Sequence, residues 1–89
     1  MNKNTDNLIE CSVALSYTMG SQAPIITASG KGLVSKRIKE IAEKNGITII
    51  KDTSLANILI EEEIGACIPS EVYYTVASIF AFLLKTKKN

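Results

Sequence analysis

From Ile9 to Tyr17 the odd positions are all apolar or aromatic (Ile9, Cys11, Val13, Leu15, Tyr17), and Glu10, Ser12, Ala14 and Ser16 fill the gaps. A period of two predicts a half-buried β-strand with one face toward a core. T-M-G-S-Q then supplies a turn, and P-I-I-T-A-S reads as a second strand. Pro24 stands at its start, where a missing amide does least harm. So short a connection predicts an antiparallel hairpin. Ile25 and Ile26 are adjacent and both apolar, which predicts a central strand covered on both faces.

The period then changes. Leu33, Val34, Ile38, Ile41 and Ala42 recur at helical spacing and predict one buried stripe. Lys36 with Glu40, Lys39 with Glu43, and Glu40 with Lys44 form i,i+4 pairs on the wet side. Asn45-Gly46 stops the helix with residues that tolerate a left-handed backbone. I-T-I-I at 47–50 reads as a third strand. Strand, helix, strand predicts a right-handed βαβ unit with the second and third strands parallel. Asp52 or Thr53 caps a short helix carrying Leu55, Ile58 and Leu59. Pro69 opens a last helix to about Lys85. Val72, Tyr73, Val76, Ala77, Ile79, Phe80, Leu83 and Leu84 exceed what one buried stripe requires there, so part of this surface is expected to meet a partner.

The elements predict an α/β fold, a small mixed β-sheet with helices packed on it. With 89 residues, a single domain over 7–86 is expected, after a polar segment (1–6) and before a basic tail (87–89). A net charge of +1 provides no global field to recruit nucleic acid or anionic lipid. The absence of histidine removes the commonest general base and transition-metal ligand, so neither cofactor nor metal is expected. Cys11 and Cys67 sit in apolar patterns far apart and read as reduced core thiols. M-N-K-N-T-D-N has no apolar leader and no run approaches a membrane span, which predicts a soluble cytoplasmic protein.

S-G-K-G-L at 29–33 invites a phosphate-loop reading, because glycines and a lysine lie between a strand and a helix start. Neither G-x-x-x-x-G-K-[ST] nor a full G-x-G-x-x-G is present, so a tight strand-to-helix turn is the better reading. Lys31, Lys36, Arg37, Lys39 and Lys44 would serve RNA in the rival view, a small nucleotide- or RNA-binding protein. However, Glu40 and Glu43 interrupt them and no aromatic is interleaved for stacking. Glu61-Glu62-Glu63 reads as an exposed acidic turn rather than a cation site.

S-V-A-L-S-Y, A-P-I-I-T-A-S-G-K-G, R-I-K-E-I-A-E-K-N-G-I-T-I-I, S-L-A-N-I-L and E-I-G-A-C-I-P-S-E-V-Y-Y-T-V-A-S-I-F-A-F together resemble the cytoplasmic C-terminal domain of the FlhB/YscU/SpaS export-switch proteins of bacterial flagella and type III secretion. The resemblance runs from about Asn7 to Lys85. Family members carry a membrane domain and cleave themselves at an N-P-T-H loop, where the asparagine cyclises onto its own carbonyl. The corresponding residues are Asn7-Leu8-Ile9-Glu10, of which only the asparagine matches. The resemblance therefore implies a non-catalytic, stand-alone version of the fragment left after cleavage. It implies export substrates, or export-gate components and the FlhB membrane part, as partners, with the membrane engaged only through that apparatus. An apolar patch for them would comprise Ala23, Pro24, Ala77 and Phe80. Met1 to Asp6 is too short and polar to supply a strand beside Ile9–Tyr17, so that edge is expected to accept one from a partner or from a second copy as a homodimer.

Overall fold

The computed structural model describes residues 9–18 and 20–87. Strand β1, Cys11–Ser16, pairs antiparallel with β2, Ile25–Lys31. The register runs Cys11 with Lys31 to Ala14 with Ala28, then Leu15 with Ile26, leaving Thr27 as an extra residue. This β-bulge turns Ile26 and Ala28, two residues apart, to opposite faces. Thr27 donates its hydroxyl hydrogen to the Ala14 carbonyl at 3.3 Å, inside the bulge. On the far edge of β2, the Ile26 N–H donates to the Ala66 carbonyl at 2.9 Å, and the Gly65 N–H to the Ile26 carbonyl at 2.7 Å. The β2 strand is thus held on both edges.

Helix α1, Leu33–Lys44, follows through a turn that only glycines fit. Gly32 has φ +58°, and a Cβ on Gly30 would collide with the Cβ and Cγ1 of Val34. The loop at 29–33 is therefore the tight turn expected. The buried stripe on α1 is not the one expected, since Leu33 is 83% exposed while Ser35 is completely buried. The cause lies beneath the helix. Ser12, Ala14, Ala28 and Gly30 form a floor of small residues. Ser35 reaches it, and its hydroxyl hydrogen-bonds that of Ser12, which also donates to the Ser35 carbonyl. Lys39 bonds Glu10, just before β1, at 2.7 Å instead of pairing with Glu43.

The third strand is a correction. Residues 47–50 follow Gly46 without regular secondary structure and pair with no strand among the described residues, so the described sheet has two strands and no βαβ unit. Ile47, Ile49 and Ile50 remain 40–60% exposed. The α/β fold class itself stands. Helix α2, Thr53–Leu59, is capped by Asp52, whose carboxylate accepts from the Leu55 N–H at 3.0 Å. After a 3-10 turn at Ser70–Val72, helix α3 runs Tyr73–Lys87. The core is Ala23, Ile26, Leu59, Ile68, Val72 and Val76, with Val13, Leu15, Leu55 and Phe80 packed around it. Ile25 is 39% exposed, so β2 is central without being covered on both faces along its length. Both cysteines are free, but Cys67 is exposed rather than in the core.

Candidate functional site

Helix α3 carries two apolar stripes. Val72, in the preceding turn, and Val76 enter the core, while Tyr73, Ala77, Phe80 and Leu84 lie on an adjoining stripe that the protein does not cover. Spacings of three and four place these last residues on one face. Opposite them stand Ala23 and Pro24, fixed where the chain enters β2. The Ile68 N–H donates to the Pro24 carbonyl at 3.2 Å and anchors that entry.

Between these walls lies a groove of about 500 Å³. All four residues proposed from the sequence, Ala23, Pro24, Ala77 and Phe80, line it. Ala23 and Pro24 are themselves buried and form the floor; Ala77 is exposed and Phe80 half-buried on the wall. Tyr17 closes one end, its ring centroid 5.7 Å from that of Phe80 at a tilt of 44°. Its hydroxyl donates to the Ser21 carbonyl at 3.4 Å. Tyr17 and Tyr74 are not among the contact residues expected from the sequence, and Tyr73 is named there only in the surplus apolar surface of the last helix, outside the four-residue patch. Tyr73 had a signal, because it stands four residues before Ala77. Tyr17 had none beyond ending an alternating strand.

This groove can bury apolar side chains and present tyrosine hydroxyls at its rim. Among the described residues no set of three or more Asp, Glu, Cys or His is placed to hold a metal. The one clear electrostatic perturbation among the described residues lies elsewhere, at Glu10. The hydrogen bond from Lys39 and the charge of Lys39 hold its carboxyl below the ordinary glutamate range, with Lys51 and Lys36 adding smaller attractions. Of the four residues expected from the resemblance to stand at a degenerate cleavage site, Asn7 and Leu8 lie outside the described residues; Ile9 is exposed, and Glu10 is the ion-paired residue just described. No helix among the described residues is long and apolar enough to cross a membrane.

The described residues thus form a small α/β domain whose apolar groove is rimmed by tyrosines. The FlhB HrpN YscU SpaS family model matches residues 6–83, and the chain belongs to that family. It is 43% identical over 84 residues to the flagellar biosynthetic protein FlhB of Buchnera aphidicola subsp. Schizaphis graminum, covering 92% of this chain and 22% of that protein. It thus spans about a fifth of that relative's length. Bacillus subtilis YlqH is 37% identical over 82 residues, covering 91% of this chain and 88% of YlqH. In structure, the cytoplasmic domain of FlhB from Shewanella putrefaciens superposes with a TM-score of 0.80 at 24% identity, over 90% of this chain and 69% of that one, a likeness of fold. A variant EscU/SpaS C-terminal domain gives 0.79 at 25% identity, over 84% and 95%.

Proposed function

We propose that this chain is a non-catalytic binding module of the flagellar or type III export apparatus, whose groove docks an apolar segment of an export substrate or of an export-gate component. In this role it takes the place of the C-terminal fragment of FlhB. It is held at the inner membrane from the cytoplasmic side through the export apparatus, with no role in binding nucleic acid. The observation that carries this reading is that Ala23, Pro24, Ala77 and Phe80, far apart in sequence, share one apolar groove of about 500 Å³.

The test is binding of the purified chain to purified hook-type and filament-type export substrates. The wild type should bind at least one class, and Ala77→Asp should lose it without a change in unfolding midpoint, because Ala77 is exposed. Equal binding by the wild type and Ala77→Asp would refute the groove as the docking site.

A further inference from the structure

Helix α3 has a third face, apart from the core and the groove. Val76, Ile79 and Leu83 lie on its core side, and Tyr73, Ala77, Phe80 and Leu84 line the groove. At a helical advance of about 100° per residue, Tyr74, Ser78, Phe82 and Lys85 fall within one stripe about 80° wide, roughly a third of a turn from each of the other two. Glu71, in the 3-10 turn three residues before Tyr74, leads into that stripe. All five residues are exposed.

Their order is the informative part. Positions 71, 74, 78, 82 and 85 are spaced by three, four, four and three, so the stripe has the same spacing read from either end. Reversal about Ser78 exchanges Glu71 with Lys85 and Tyr74 with Phe82, and returns Ser78 to itself. Opposite charges then fall opposite one another, aromatic meets aromatic, and the smallest of the five side chains stands at the middle. Tyr74 is 84% and Phe82 61% exposed. Neither Glu71 nor Lys85 has an ion-pair partner among the described residues. Those two charges also suit the dipole of α3 itself. Two exposed aromatics at mirrored places answer to no such cause.

We infer that this stripe docks on the same stripe of a second copy of the chain, with the two α3 helices antiparallel and a two-fold axis passing at Ser78. A two-fold contact requires a surface complementary to itself, and a pattern that meets its own reversal with unlike charges provides one. Spacings of three and four average three and a half, the repeat of helices that cross at about 20°. Glu71 then lies beside Lys85 of the second copy and Tyr74 against its Phe82, each pair occurring twice. The aromatics form the dry part of the seam and the charges its polar ends. From Glu71 to Lys85 the stripe is only about 21 Å long. It therefore belongs with the small interfaces, below about 1,200 Å² in total, and the dimer is a reversible one. Tyr74 also lines the groove, so dimer and groove ligand share that side chain. The inference does not rest on what the groove binds.

Sedimentation equilibrium of the full chain, from micromolar to millimolar concentration, should show monomer and dimer in exchange. Dilution of the isotope-labelled chain should shift the NMR amide signals of residues 71–85. Phe82→Asp should keep the chain monomeric at an unchanged unfolding midpoint, since Phe82 lies outside the core. Glu71→Lys and Lys85→Glu should each weaken self-association about tenfold, because an exposed pair is individually weak but a symmetric dimer feels each substitution twice. Mixing these two variants gives the decisive readout. In the mixed dimer both ends again join unlike charges, so association should return to the wild-type level, a rescue that no folding defect produces. A chain that stays monomeric at millimolar concentration, a dimer that survives Phe82→Asp, or a mixture that associates no better than either variant alone would overturn the inference. So would a dimer whose dilution shifts fall on β1 instead of α3.

Discussion

Phe80 has one side against the core and the other against Tyr17 and the groove. A fully buried phenylalanine cut to alanine costs about 3–5 kcal/mol. Being half-buried, Phe80 should cost less on replacement by alanine, about 1–3 kcal/mol, including about 0.5–1.5 kcal/mol for the ring pair with Tyr17. Substrate binding should fall by more than that loss of stability explains; urea unfolding and a binding isotherm on the same variant separate the two. Glu10 permits a test of charge. Its folded-state ionisation is depressed, mainly by the hydrogen bond and charge of Lys39, so its contribution is present above the unfolded value and disappears as pH falls through the folded one. Lys39→Ala should move the Glu10 midpoint upward toward the ordinary glutamate range, as read by carboxyl NMR titration. The pair is exposed and at the surface, so high salt should shrink the difference.

Among the elements, the turn into α1 makes the sharpest prediction. Gly30→Ala should destabilise the fold by about 1–3 kcal/mol through overpacking against Val34. Val34→Ala in the same chain removes the Cγ1 clash but keeps the Cβ, so it should recover only part of that loss, and chemical unfolding of the two single variants and the double variant checks it. The same region shows where a sequence reading stops. The Asp52 cap and the Asn45-Gly46 stop are local chemistry and lie where the residues indicate, whereas Pro69 precedes a 3-10 turn and the α-helix begins only at Tyr73. The period of α1 was legible too, but its phase was not. Leu33 and Val34 look like core, whereas the position that enters the sheet is Ser35, because a small floor and the Ser12 hydroxyl receive it. That partner is 23 residues away. Likewise I-T-I-I has the composition of a strand, but a strand also needs a neighbour within hydrogen-bonding reach. The groove was half legible: the double stripe of α3 pointed to it, while Tyr17 reaches it through tertiary packing alone.

For the whole molecule, Leu8-Ile9-Glu10, standing where the resemblance leads one to expect proline, threonine and histidine, lead to a chemical expectation. Leu8 after Asn7 is bulky, and cyclisation at asparagine is fastest before small, flexible residues. The chain should keep its full intact mass through long incubation at neutral to mildly alkaline pH, and a fragment beginning at Leu8 would refute this.

Thr27 has a consequence for which length changes the chain can survive. Losing one residue from a strand ordinarily reverses every side chain beyond the gap. In β2 the strand already carries one residue more than its partner, and Thr27 is that surplus. Its removal would leave Ile26 and Ala28 as direct neighbours, which an unbroken pleat places on opposite faces by itself. Ile26 would still enter the core and Ala28 would still face α1, with only the Thr27 hydroxyl bond to Ala14 lost. Removing Ser29 instead would invert Gly30 relative to Val34. Within this strand, position 27 is thus where evolution or an engineer can shorten the protein without scrambling it.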